Sequence, residues 1–392
     1  MNRPKYKLPA SQKSKGGSFY WLLALGLAGL LGWLWWNSAK PSRPVAKTKA
    51  IVVAAQSSVT VATHSVATPA PAPVAVPIIP VAAPVPTVTS NNPVPVPAVA
   101  APAITGYPRP VQNIFEAQVA LVQAGISPGS LDGAVGSQTH AAMAAFQKQA
   151  GLPITGELDA LTKSKLLLED SPFATYTITA NDLARLQPVA TTWLGKSQQS
   201  ALDFETILEL VAEKSFTHPN FIRHLNPDIN WTSVPPGTTV QIPNVAYPEE
   251  ATKAAWVTIH LATKTLEAFD ADTNLLVHFP CSIAKHVEKR PVGLLRVAVV
   301  APNPNYTLDP AIFPESPEAQ QLKHKLILPP GPNNPVGVAW IGLDRPGYGI
   351  HGTPRPEDVG RTESHGCFRL ANWNAEYLLR LITIGTPVYV VE

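Results

Sequence analysis

Between Lys49 and Arg109 the chain has no Asp, Glu, Lys or Arg, and it is built largely of Pro, Ala, Val and Thr, as in PAPAPVAVPIIPVAAPVPTV. Proline fixes φ and lacks the amide hydrogen that helices and sheet ladders require, so its repetition forbids both. Residues 37–109 are therefore expected to form an extended, partly polyproline II linker. At ~3.1 Å per residue, roughly 70 such residues reach on the order of 200 Å when fully extended. The linker divides the 392 residues into a short N-terminal part and a long C-terminal part, and any core has to form in the latter.

The N-terminal part has two sections. Residues 1–18 carry Arg3, Lys5, Lys7, Lys13 and Lys15 and no acid, and the apolar run FYWLLALGLAGLLGWLWW follows from Phe19 to Trp36. As a helix at ~1.5 Å per residue the run spans about 27 Å, close to the ~30 Å of a bilayer's hydrocarbon layer. Aromatic residues sit at both ends, as in an interfacial belt. A transmembrane helix at 19–36 is expected, with the basic segment in the cytoplasm and everything after Asn37 outside, periplasmic or extracellular. A cleaved signal peptide is the alternative, but its apolar core is usually ~7–15 residues and ends in small side chains. This run is longer and ends in Trp35-Trp36.

Charge excludes one class of partner. The 30 basic residues balance 27 acidic ones, so nothing points to nucleic acid. Two cysteines, Cys281 and Cys367, are too few for a disulfide framework.

Beyond the linker, residues 110–170 are punctuated by Gly125, Gly133, Gly136, Gly151 and Gly156, and read as three short helices. Ala142, Met143, Phe146 and Ala150 keep helical spacing, as do Leu158, Leu161 and Leu168, so an all-α bundle is expected. At DGAVGSQTHAAMAAFQKQAGLPITGELD this stretch resembles the peptidoglycan-binding domain of cell-wall hydrolases and transpeptidases, matching at Asp132, Gly133, Gly136, Thr139, Phe146, Gln147, Gly151, Thr155, Gly156 and Asp159. Most of those residues shape turns or core, so they speak for the fold more than for a binding surface. Residues 175–247 read as strand (TYTIT), two helices (FETILELVAEKS, HPNFIRHLNP) and strand (GTTVQIPNV). That order is similar to the α+β LysM module, a glycan-binding fold, although ITANDLARL stands where a Gly-Asp-Thr turn is usual and a long insertion follows. A plain spacer domain is the alternative.

From 254 to 392 the pattern turns to β. Val257, Ile259 and Leu261 alternate with Thr258 and His260, LLVHFPCSIA and LLRVAVV follow, and WNAEYLLRLIT precedes a closing PVYVV. A mostly-β catalytic sandwich with one late helix is expected.

The chemistry is concentrated in GYGIHGTPRPEDVGRTESHGCFRL, Gly347 to Leu370. A cysteine nucleophile reacts as the thiolate, needs an imidazole to take its proton, and needs N–H donors for the developing oxyanion. His351 and Cys367 supply the first two if the intervening loop folds back, and Gly366 lets backbone approach the reacting carbonyl. On composition alone this is one Cys-His arrangement among several. The segment resembles the signature of the YkuD-type L,D-transpeptidases, a His-Gly pair, a mid-teens spacer and Ser-His-Gly-Cys. Here these are His351-Gly352 and Ser364-His365-Gly366-Cys367, separated by 367 − 351 = 16. PPGPNNPVG at 329–337, AWIGL at 339–343 and PVG at 291–293 match as well. Arg369 stands where the signature often has Asn.

The resemblance implies that Cys367 attacks the carbonyl of the third residue of a peptidoglycan stem tetrapeptide, expels D-Ala, and passes the acyl group to an amine. His351 is then the base, oriented through its other nitrogen by a backbone carbonyl. Gly366 and Cys367, with His365, form the oxyanion hole, Ser364 and His365 hold loop and substrate, Gly352 belongs to the same oxyanion and substrate site, and Arg369 binds a substrate carboxylate or makes a structural ion pair. No cofactor is implied. The implied partners are stem peptides and glycan, with the inner membrane held through one helix. Three alternatives stand beside this reading: an L,D-carboxypeptidase with water as acceptor, a non-catalytic wall-binding protein, and a zinc site at His351, His365 and Cys367, which has an unusual His-x-Cys spacing and no second ligand pair. His260, His278, His286 and His324 are expected at the surface or in packing. Cys281, in apolar LLVHFPCSIA, is expected to be a reduced, unreactive core thiol.

Overall fold

The computed structural model describes residues 106–249, 252–312, 316–362 and 366–392. The expected membrane anchor at 19–36 and nearly all of the linker lie outside them. Among the described residues no helix is long and apolar enough to cross a membrane.

The first module holds the three expected helices, α1 (Ile114–Gln123), α2 (Ser137–Gln149) and α3 (Ala160–Lys165). Asn113 and Asp159 start α1 and α3 by accepting hydrogen bonds from the Glu116 and Thr162 amides. The module is not all-α, because β1 (Arg109–Pro110) pairs antiparallel with β2 (Leu167–Leu168) and closes its two ends together. Arg109, assigned above to the linker, therefore belongs to the folded part, and Leu168 sits in a strand. Two buried glutamines wire the turns. Gln118 donates to Asp132, Ala134 and Thr139 and accepts from Gly133, while Gln147 donates to Thr155, Glu157 and Thr162 and accepts from Thr155 and Gly156. Most of the motif residues thus serve the interior hydrogen-bond network.

In the middle module, β3 (Phe173–Thr177) pairs antiparallel with β4 (Thr239–Pro243), and α6 (Ile207–Lys214) and α7 (Pro219–Leu225) lie between them in sequence. The expected strand–helix–helix–strand order is present, around its own core of Ile178, Phe204, Leu210, Ile222 and Val240. The insertion adds two short helices, α4 (Ala180–Ala184) and α5 (Trp193–Ser197). A reciprocal Thr179–Asp182 capping box starts α4 where the Gly-Asp-Thr turn is missing.

The C-terminal module is mostly β. Eight strands form one ladder in the order β13-β12-β11-β8-β14-β5-β6-β7, comprising β5 (Trp256–His260), β6 (Thr265–Phe269), β7 (Leu275–Pro280), β8 (Gly293–Pro302), β11 (Ala339–Leu343), β12 (Gly349–His351), β13 (Phe368–Arg369) and β14 (Pro387–Val391). β9 (Tyr306–Leu308) and β10 (Leu326–Leu328) pair separately, with α8 (Pro317–Gln321) in the connection between them. Long β8 joins the halves: Gly293 to Arg296 pair with β14, and Val297 to Pro302 pair with β11. The expected sandwich is therefore a continuous ladder, with α9 (Asn372–Leu381) packed on β11 and β12.

The first module shares one hydrophobic core with this ladder. Leu121, Ile126 and Met143 belong to the same cluster as Val277, Phe279 and Trp373. Its chain also runs beside edge strand β7, where the Ser127 amide donates to the His278 carbonyl (2.8 Å) and the His278 amide to the Gly125 carbonyl (3.2 Å).

Candidate active site

β12 and β13 run parallel, with Ile350 opposite Phe368 and His351 opposite Arg369. Side chains alternate along a strand, so His351 and Arg369 share one face. Cys367 directly precedes β13 and, two residues before Arg369, falls on that face too. Its half-buried thiol donates to the Gly347 carbonyl at 3.5 Å. Thus the chain after His351 does return, and Cys367 comes back two residues ahead of the residue that pairs with His351.

His351 is buried, and its Nδ1 lies 2.6 Å from the Gly352 carbonyl. A carbonyl only accepts, so Nδ1 carries the hydrogen and Nε2 is left with the lone pair that a base needs. Trp340, its register partner on β11, stacks on the ring at 5.8 Å. Burial, together with the Arg369 charge, pulls the imidazole down to about 4, the Gly352 hydrogen bond opposing it. Burial likewise pushes the Cys367 thiol up, the Gly349 backbone offsetting part of that. Both shifts favour the neutral forms at rest, a thiol and an imidazole, the pair that proton transfer during attack requires.

The base sits on a closely packed support. Gly337 has φ +62°, and a Cβ there would meet Asn372 Oδ1 and the Gly352 backbone; a Cβ on Gly352 would meet the same Asn372 oxygen. Asn372, buried at the start of α9, accepts from the Val338 amide (3.3 Å) and donates to the Pro332 carbonyl (3.2 Å). Asn372 and Trp340 were not singled out from sequence as site residues; Trp340 lies in AWIGL, and Asn372 falls between the quoted stretches. Tyr306 was not singled out from sequence either: burial and the neighbouring Cys367 raise its phenol to about 12.

Of the remaining expected residues, Gly366 directly precedes the thiol, and among the described residues nothing lies within 4 Å of where its Cβ would stand. Arg369 exchanges backbone hydrogen bonds with Ser282 and donates to Thr362 Oγ1 at 3.4 Å. Ser364 and His365 lie outside the described residues. Cys281 is fully buried and unbridged, its thiol pushed up to about 12 by burial. His278 is buried and contacts Glu267 at 3.1 Å; His260 contacts the other oxygen of that carboxylate at 3.3 Å. Both are packing residues, as expected.

Residues 254–390 match the family model of the L,D-transpeptidase catalytic domain, YkuD. The C-terminal module is a YkuD-type catalytic domain. Residues 111–166 match a second model, "Putative peptidoglycan binding domain". A Bacillus subtilis protein provisionally named L,D-transpeptidase YqjB is 36% identical over 107 residues, which cover 26% of this chain and 52% of that one. A Bacillus licheniformis protein provisionally named L,D-transpeptidase YkuD is 26% identical over 181 residues, covering 46% of this chain and 91% of its own length. The chain thus spans about half of the B. subtilis relative. The crystal structure of an L,D-transpeptidase from Xylanimonas cellulosilytica aligns over 73% of this chain and 99% of its own, at 17% identity and a TM-score of 0.31.

Proposed function

We propose that the protein is a cysteine-dependent L,D-transpeptidase of the cell wall. The observation that carries this reading is the His351 tautomer: Nδ1–H is held by the Gly352 carbonyl, which leaves Nε2 its lone pair, on the strand beside which the chain returns from Cys367. In the first half-reaction Cys367 Sγ bonds to the carbonyl carbon of the third stem residue while Nε2 takes the thiol proton. The tetrahedral oxyanion is met by the Gly366 and Cys367 amides. Its collapse breaks the bond to D-Ala, and imidazolium returns the proton to the departing amine. In the second half-reaction an acceptor amine attacks the thioester, gives its proton to Nε2, and releases Cys367 as thiol. Arg369, a cation on the same face, suits a substrate carboxylate, and burial, aided by that charge, keeps His351 neutral between turnovers.

The other segments take their roles from this reaction. Residues 19–36 anchor the chain in the cytoplasmic membrane, the proline-rich linker spans the distance to the wall, and the enzyme works outside the cytoplasm. The first module binds peptidoglycan, and the middle module is a LysM-like glycan binder, a reading supported by its strand–helix–helix–strand order.

The test is mass spectrometry of muropeptides after the full-length protein is incubated with purified sacculi. New cross-links through the third stem residue, absent with Cys367→Ala, are expected. His351→Ala should slow acylation by about 10²–10⁴-fold, the usual contribution of a general base. Shortened stems without new cross-links would assign water as acceptor, and cross-linking by Cys367→Ala would sink the nucleophile.

A further inference from the structure

Of the contacts between the middle module and the catalytic domain, one involves a backbone loop, residues 329–337, that also supports the base. Leu202 lies across the loop: its amide donates to the Pro330 carbonyl and its carbonyl accepts from the Asn333 amide, both at 2.9 Å. Gly331 leaves no room for a side chain there, since a Cβ would stand 2.2 Å from the Leu202 carbonyl oxygen. The Asn333 amide group then reaches into the module, donating to the Asp203 carbonyl at 3.0 Å and to Glu209 Oε1 on α6 at 2.7 Å. Glu209 is itself fixed, because its other oxygen accepts from the Glu205 amide at 2.8 Å. At its far end the same loop presses Gly337 against Gly352, whose carbonyl holds His351 Nδ1. An unbroken path of backbone contacts and short hydrogen bonds runs from α6 to the base.

We infer that Asn333 is a positioning residue through which the middle module, by Leu202, Asp203 and Glu209, sets the place of the Gly352 carbonyl and so the orientation of His351. The module is then a working part of the active site as well as an appendage that could bind wall. The inference rests on His351 and Cys367 acting as base and nucleophile. Displacing a catalytic group by about 1 Å can cost on the order of 10²-fold, so a loosened loop is expected to slow acylation about tenfold.

The experiment uses the full chain in detergent. It follows two readouts: acylation by a stem tetrapeptide, and the pH profile of iodoacetamide alkylation at the Cys367 peptide, read by mass spectrometry. Asn333→Ala should acylate about tenfold more slowly and move the alkylation profile toward that of His351→Ala, with unchanged circular dichroism. Glu209→Ala should do the same from the module side, and the double variant should be no worse than either single one, as expected for residues acting through one contact. Glu209→Gln keeps an acceptor oxygen for Asn333 but turns an NH2 toward the Glu205 amide, and should fall between wild type and Glu209→Ala. A wild-type alkylation profile in both Asn333→Ala and Glu209→Ala would overturn the inference. So would loss in Asn333→Ala with none in Glu209→Ala, which would assign the effect to the loop alone. Should Asn333→Ala fail to fold, Glu209→Ala and Glu209→Gln decide between them. Coincident profiles for wild type and His351→Ala would instead refute the underlying base assignment.

Discussion

The two modules that precede the catalytic domain are attached to it by different physics. The first merges with it: Leu121, Ile126 and Met143 pack in the same core as Phe279 and Trp373, and a segment of its chain lies along β7. The middle module keeps a core of its own and meets the catalytic domain through a small cluster in which Leu202 packs with Leu308, Leu326 and Leu328, Trp193 beside them, through the Asn333 clamp, and through Phe216, which stacks on Trp373 at the margin of the joint core. A shared core couples stabilities, because water cannot reach one side without the other. A clamp with one aromatic contact at the margin couples positions more than it couples the melting of the two cores.

The contrast can be broken most forcefully at Glu116. This buried carboxylate accepts both arms of the Arg109 guanidinium at 2.8 Å, and Glu116→Ala would strand the cation. Removing one partner of a buried pair typically costs about 3–5 kcal/mol. Urea unfolding followed by probes in both regions should show the first module and the catalytic domain shifting together. A transition confined to the first module would mean that the cores are separate after all.

A pH scan probes the same joint core from the active-site side. The imidazole of His351 falls from an ordinary 6.5 to about 4 in the fold. The unfolded chain therefore binds the proton first as pH drops, and the contribution of neutral His351 to stability, complete above about 6.5, is lost as pH falls toward 4. The shift corresponds to about 3 kcal/mol. The stability difference between wild type and His351→Gln should shrink by about that amount across the window, in the joint transition and not in that of the middle module.

Smaller effects separate the two attachments. Trp193→Ala empties part of the leucine cluster and should cost about 1–2 kcal/mol, read as earlier melting of the middle module with the joint transition unmoved. Gln138→Ala removes the donor that the first module extends from α2 to the Val359 carbonyl, on the loop leading to Cys367. About 1 kcal/mol is expected for one such hydrogen bond, with a mild slowing of acylation. A loss larger than that of Trp193→Ala would reverse the ranking.

What could be read from sequence follows the range of each interaction. Alternation at Val257 and Ile259 marked β5, the glycines bounded three helices, and the two halves of the Cys-His pair were visible because each sits in a dense local motif. The Thr179–Asp182 capping box was also legible, as Thr-x-x-Asp, and would have announced α4 in the insertion. The contacts that assemble the head were not. Asn333 and Glu209 are 124 residues apart, and Gln138 and Val359 are 221 apart. No periodicity carries such a pairing. Arg109 was misplaced for a simpler reason: it follows the proline-rich run, and only its partner Glu116 and the β1–β2 pair give it to the fold.

The chain segment beside β7 has a consequence for handling the protein. An outermost strand offers bare amides and carbonyls to any passing chain, and proteins commonly cover such rims to stay monodisperse. Here part of the cover is Gly125 to Ser127, which closes on both backbone groups of His278. A fragment cut at the catalytic boundary near residue 254 would lose that cover and the apolar surface beneath it together. Such a fragment should be sticky in solution and form strand-paired oligomers that the chain begun at Tyr107 does not, a difference that light scattering would register before any assay is run.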